Sequence, residues 1–121
     1  MSDTQPPWPT ELRIKNQGTK LAVTFDSAES FELSAEYLRV ESPSAEVKGH
    51  GPGQEQLVYG KRNVAITKAE PVGTYAVRLI FSDGHSTGLF TWSYLAKLGR
   101  EFETVWAAYL AKLSAEKRSR G

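Results

Sequence analysis

Cysteine is absent from the 121 residues, and that one absence removes several classes of function. Without it there is no disulfide framework, no thiolate nucleophile and no Cys-ligated zinc or iron–sulfur site. A chain without cysteine also suits a reducing compartment, so the expected setting is cytoplasmic. A charge of one sign is missing as well. Fifteen Lys and Arg face 14 Asp and Glu, a formal net charge of +1. No global basic field therefore draws the chain to nucleic acid. No apolar run approaches the ~20 residues that a membrane-spanning helix needs, so no membrane contact is expected. Residues 1–9 carry neither a basic stretch nor an apolar one and do not read as a signal peptide.

What remains is ordinary material for one domain. The chain is 40% hydrophobic and 24% charged, close to the globular average. A chain this long buries roughly two-thirds of its unfolded surface on folding, enough for a core without staples.

The proline-rich start, with Pro6, Pro7 and Pro9, is a loose arm that Trp8 can pin to the body. Leu12 and Ile14 alternate with polar residues, then Leu21, Val23 and Phe25, then Phe31 and Leu33. This period-two pattern, broken by Asn16-Gln17-Gly18 and Asp26-Ser27, predicts an antiparallel meander. Ser34 is placed to cap a short helix through Tyr37 and Leu38, which Pro43 ends. Residues 41–63 are long and polar, the kind of segment that often carries function. Strand character resumes over 64–72, and Tyr75, Val77, Leu79 and Phe81 form the clearest strand. Asp83-Gly84 then signals a hairpin with a return strand over 86–90. Thr91 reads as the N-cap of a helix over 92–98 closed by Gly99. Phe102, Val105, Trp106, Tyr109, Leu110 and Leu113 recur at helical spacing, so a last helix should lie across one face of the sheet.

The predicted class is therefore α+β. It has a largely antiparallel sheet of about six short strands in two groups, a short helix after the third strand, another after the last hairpin, and a C-terminal amphipathic helix. We read residues 1–9 as a flexible arm, 10–113 as the domain and 114–121 as a flexible basic tail.

Two stretches resemble a known family. The first is Leu38-Arg39-Val40-Glu41-Ser42-Pro43-Ser44-Ala45-Glu46-Val47, followed by Gly49-His50-Gly51-Pro52-Gly53-Gln54. The second runs from Phe81-Ser82-Asp83-Gly84-His85 through Ser86, Thr87 and Gly88 to Leu89-Phe90-Thr91-Trp92-Ser93-Tyr94-Leu95. Together they are similar to the N-terminal domain of gamma-butyrobetaine hydroxylase and to its stand-alone bacterial relatives, a domain of unknown function. The resemblance spans about residues 9–113, nearly the whole domain. In the hydroxylase it implies a structural zinc held by three cysteines and a histidine. Here His85 matches the histidine, whereas Ser42 and Ser44 stand where two of the cysteines would be, and the third position, near Val47, is also empty. The hydroxylase's iron and 2-oxoglutarate site belongs to another domain, so oxygenase activity does not carry over. The same small domain also resembles a module joined to P-loop ATPases of iron–sulfur cluster carriage, which suggests such an ATPase as a protein partner by association.

Candidate sites follow from the residues themselves. His50 and His85 are the only histidines, and with Asp83 or Glu46 they could hold a divalent metal, zinc or iron. No His-x-x-x-His or HExxH spacing supports that set, and the plainer reading is two loop histidines. Gly49, Gly51 and Gly53 lack the strand–loop–helix context of a phosphate cradle and read as turn residues. Ser42, Ser44 and Ser86 raise a Ser–His hydrolase, yet no G-x-S-x-G elbow is present, and Asp83 is better placed to close its own turn. Trp92 and Tyr94, two residues apart, cannot face the same side of a helix, and one is expected near His85 on a contact surface. Lys61-Arg62 and Lys117-Arg118-Arg120 have acidic neighbours and read as solvated surface.

The expected function is a non-catalytic binding or adaptor domain with no required cofactor. It would present the 42–54 loop and the 84–92 hairpin to an unidentified protein. Its surface would include Ser42, Ser44, Gly49, His50, Gly51, Asp83, Gly84, His85 and Trp92. The alternatives are a metal-binding accessory domain on His50 and His85, and a small enzyme using the same cleft.

Overall fold

A computed structural model describes residues 8–43, 57–86 and 88–121. Six strands and three helices are present among them, in the order expected. Strands β1 (Pro9–Lys15), β2 (Lys20–Phe25) and β3 (Ser30–Ser34) form an antiparallel meander, and β4 (Ile66–Val72), β5 (Ala76–Phe81) and β6 (Leu89–Thr91) form a second. The two sheets are the two groups that the alternation predicts. Pro71 is tolerated within β4 because that strand is an edge of its sheet.

Helix α1 (Ala35–Val40) begins at Ser34, whose hydroxyl accepts the Tyr37 N–H at 3.0 Å. Helix α2 (Trp92–Arg100) begins at Thr91, which accepts the Tyr94 N–H at 3.1 Å. Both caps satisfy an N–H that the first helical turn leaves without a partner.

Leu21, Val23 and Phe25 of β2, Leu33 of β3, Val77, Leu79 and Phe81 of β5, and Leu95 and Leu98 of α2 share one core with Tyr37 and Leu38 of α1. The two sheets therefore bury their apolar faces in a common interior.

Four local expectations change. The Asp83-Gly84 turn does not continue into a long return strand. Gly84 donates to the Phe81 carbonyl at 3.0 Å, but β6 pairs only with the first half of β5, ending at Arg78↔Leu89. Gly99 does not close α2, which runs on to Arg100. Instead a Cβ on Gly99 would lie 2.5 Å from Cγ of Phe31, so glycine here permits close packing of α2 on β3. The last helix, α3 (Phe102–Ala115), meets Val40 of α1 and Val58 through Tyr109 and Leu113 rather than covering a sheet face. Phe102 and Leu110 remain exposed. Finally, the chain beyond α3 is laid back on the body by polar contacts, although it has no apolar anchor.

Candidate functional site

Helix α1 is too short to show a polar face, and all six of its residues are buried. Arg39 is thereby carried inside, 2% exposed. A buried guanidinium needs an anion, and the chain supplies one from 44 residues away. Arg39 Nε donates to Oδ2 of Asp83 at 2.8 Å. Lys61 Nζ donates to the same oxygen at 2.7 Å, and the backbone N–H of His85 donates to Oδ1 at 3.1 Å. Asp83 therefore closes its own turn, as its position before Gly84 suggests, and also neutralises two cations.

Burial alone would raise the Asp83 pKa. The donors from Lys61, the His85 backbone and Arg39 outweigh it and hold the carboxyl down at about 2.

One residue beyond Glu41, Ser42 is fully buried, with its hydroxyl 3.0 Å from Nε2 of His85. Gly88 makes room for that hydroxyl: a Cβ there would lie 2.0 Å from Ser42 Oγ. Tyr94 reaches down from α2 and donates its hydroxyl to the Glu41 carbonyl at 2.6 Å. Burial first, and then the charge of Glu41, push the Tyr94 phenol up to about 12, so it stays a donor at any ordinary pH.

The residues singled out from sequence thus divide. Ser42, Asp83, Gly84 and His85 come together in one cluster. Ser44, Gly49, His50 and Gly51 lie outside the described residues. Trp92 stands apart: its indole donates to the Thr74 carbonyl at 2.9 Å, at the turn that opens β5, whereas His85 follows the strand's other end. The length of β5 puts about 17 Å between those ends. Tyr94, the other aromatic of the pair, is the one beside the cluster. Sequence reasoning missed Arg39, Lys61 and Gly88. The one legible signal was a charged residue between Leu38 and Val40 in a helix with no polar side.

Asp83 is saturated by donors, and Ser42 has no exposed surface for a substrate to reach. The donor set does not fit the zinc that the resemblance implies. At the position of one thiolate stands a neutral hydroxyl already engaged with the histidine. Among the described residues, no three His, Asp or Glu gather as a metal site. Also among them, no helix is long and apolar enough to cross a membrane.

A family model described as "Gamma-butyrobetaine hydroxylase-like, N-terminal" matches residues 12–96. Two solution NMR structures share the fold, each with a TM-score of 0.82. One is 43% identical over 96% of this chain and 91% of its own. The other is 46% identical over 99% of this chain and 89% of its own. A crystal structure of a protein of unknown function in the DUF971 family, from Acidithiobacillus ferrooxidans, is 41% identical. It covers 75% of this chain and 91% of its own, with a TM-score of 0.63. No curated protein matches.

Proposed function

The chain belongs to the gamma-butyrobetaine hydroxylase-like N-terminal family, and we propose that it is a non-catalytic adaptor domain that meets another protein through the 42–54 loop and the Asp83-Gly84 turn. One observation carries this reading: both ends of the long polar segment are tied to the same turn. Ser42, near its start, bonds the His85 ring, and Lys61, near its end, bonds Asp83. Loops carried on a fixed scaffold are common places for recognition, and these two bonds set the flanks of the 42–54 loop beside one turn. The turn is held in turn by the buried Arg39. A cytoplasmic protein is the partner class, and an iron–sulfur-handling ATPase is the first bait that the family resemblance supplies.

Photocrosslinking tests it. A crosslinking residue replaces Gly84 in one sample and Glu103, on the exposed side of α3, in another. Adducts to one partner from position 84, lost with Asp83→Asn, are the expected result. Adducts from position 103 alone would refute the assignment.

A further inference from the structure

A second cluster is built on α1, one turn before Arg39. Glu36 is 5% exposed, a buried acid three residues before Arg39. Its partner comes from 84 residues away, in the segment after α3. Arg120 Nε meets Oε2 at 2.9 Å and Nη2 meets Oε1 at 2.7 Å, a two-pronged guanidinium–carboxylate pair. The guanidinium also stands 5.4 Å from the centroid of the Trp106 ring. Two positions earlier, Arg118 lies 4.8 Å over the ring of Tyr59. Near these anchors the main chain of the segment accepts two hydrogen bonds from the residues flanking Lys61. The Gly60 N–H donates to the Ser119 carbonyl at 3.1 Å and the Arg62 N–H to the Arg120 carbonyl at 2.8 Å. Beside Arg120 a cavity of about 320 Å³ stays open, bordered by Lys20, Ser34, Phe102 and Trp106.

This is recognition chemistry for arginine. A planar, permanently charged fork matches a carboxylate and an aromatic face together, which an ammonium does not. A buried Glu36 demands a cation, but nothing in its surroundings requires that cation to be covalently attached. The segment 116–121 brings no apolar side chain, and beyond the bonds that the Glu116, Lys117 and Arg118 N–H groups make back to the end of α3 it is held by two arginines and two backbone bonds on a largely exposed path. The Glu36–Arg120 pair is the strong contact among these, because its acid is buried, and a second arginine supplied in trans offers that acid the same fork.

We propose that the groove formed by Tyr59, Gly60, Arg62, Glu36 and Trp106 is a binding site for an Arg-x-Arg peptide segment. Residues 118–120 occupy it in cis, and a partner's segment of the same chemistry displaces them. Displacement bears on the neighbouring cluster, because Lys61, between the two groove amides, is a ligand of Asp83.

The test uses the full chain and a synthetic peptide of residues 117–121, followed by calorimetry and tryptophan fluorescence. The Arg120→Ala chain, relieved of its own occupant, is expected to bind the peptide at least tenfold more tightly than the unaltered chain. Adding Glu36→Gln should cancel that gain, and a peptide carrying Arg120→Ala should bind at least tenfold more weakly. Equal affinity of the Arg120→Ala and unaltered chains, or indifference to Glu36→Gln, overturns the proposal. Should Arg120→Ala fail to fold, the unaltered chain decides. Excess peptide must shift the Arg120 Nε–H signal by NMR, and an unmoved signal overturns the proposal equally.

Discussion

The Ser42 hydroxyl sits 3.0 Å from Nε2 of His85, and it can sit there only because residue 88 has no side chain. Gly88→Ala should force the hydroxyl to turn away and leave a fully buried polar group seeking a partner. The expected cost is about 1–3 kcal/mol. In a Ser42→Ala background the same change should cost distinctly less, because the clashing oxygen is gone. Urea unfolding of the four chains of this cycle checks it, and strictly additive costs would show that the contact is not formed.

Asp83→Asn keeps the shape of the turn but removes the anion facing Arg39 and Lys61. Breaking a buried pair costs about 3–5 kcal/mol, and because Asp83 is 23% exposed we expect about 2 kcal/mol at pH 7. Arg39→Met in the same chain should recover part of that loss, because it removes the buried charge that the carboxylate faced.

The same carboxyl predicts an acid limb. Its folded pKa, about 2, lies below its ordinary value of 3.8. The stability it contributes is therefore complete above the higher value and is lost as pH falls towards the lower one. Unfolding midpoints of the unaltered chain should fall between pH 4 and pH 2 more steeply than those of Asp83→Asn. Parallel profiles would place the acid sensitivity elsewhere.

Gly99→Ala sets helix propensity against packing. Alanine favours the helix by about 1 kcal/mol, but its Cβ would lie 2.5 Å from Cγ of Phe31, an atom at the root of the ring. Packing should win, with a net loss of about 1–3 kcal/mol. Phe31→Leu should relieve part of it. A stabilised Gly99→Ala would mean that α2 and β3 are not pressed together.

Tyr37 is fully buried and donates to the Leu98 carbonyl at 2.8 Å, joining α1 to α2. Tyr37→Phe should cost about 1–2 kcal/mol by leaving that carbonyl without its donor. Tyr75→Phe, at a residue 53% exposed, should stay within about 0.5 kcal/mol of no change. Denaturant midpoints of the two variants give the comparison.

Much of the fold was legible because its signals are local. Alternation at Leu21, Val23 and Phe25 gave a strand with one buried face, and Ser34 and Thr91 announced their helices by hydrogen bonds that span only three residues. The candidate site was legible only in part. Asp83-Gly84 marked a turn, and Asp83 does accept from the His85 backbone two residues on. That the same carboxylate anchors Arg39 and Lys61 depends on contacts 44 and 22 residues apart, for which the sequence carries no periodicity. Gly99 misled for a related reason. A glycine after a helical run suits a C-cap, whereas here it answers a neighbour, Phe31, that only packing brings near.

By itself, then, the sequence determined the class, the order of the elements, the helix starts and the absence of thiol chemistry, because each follows from residues within a few positions of one another. Tertiary structure alone decided which charges are buried and what they face. A six-residue helix with no outward side carries Glu36 and Arg39 inward together, and each must then find its counter-ion wherever the folded chain brings one within reach.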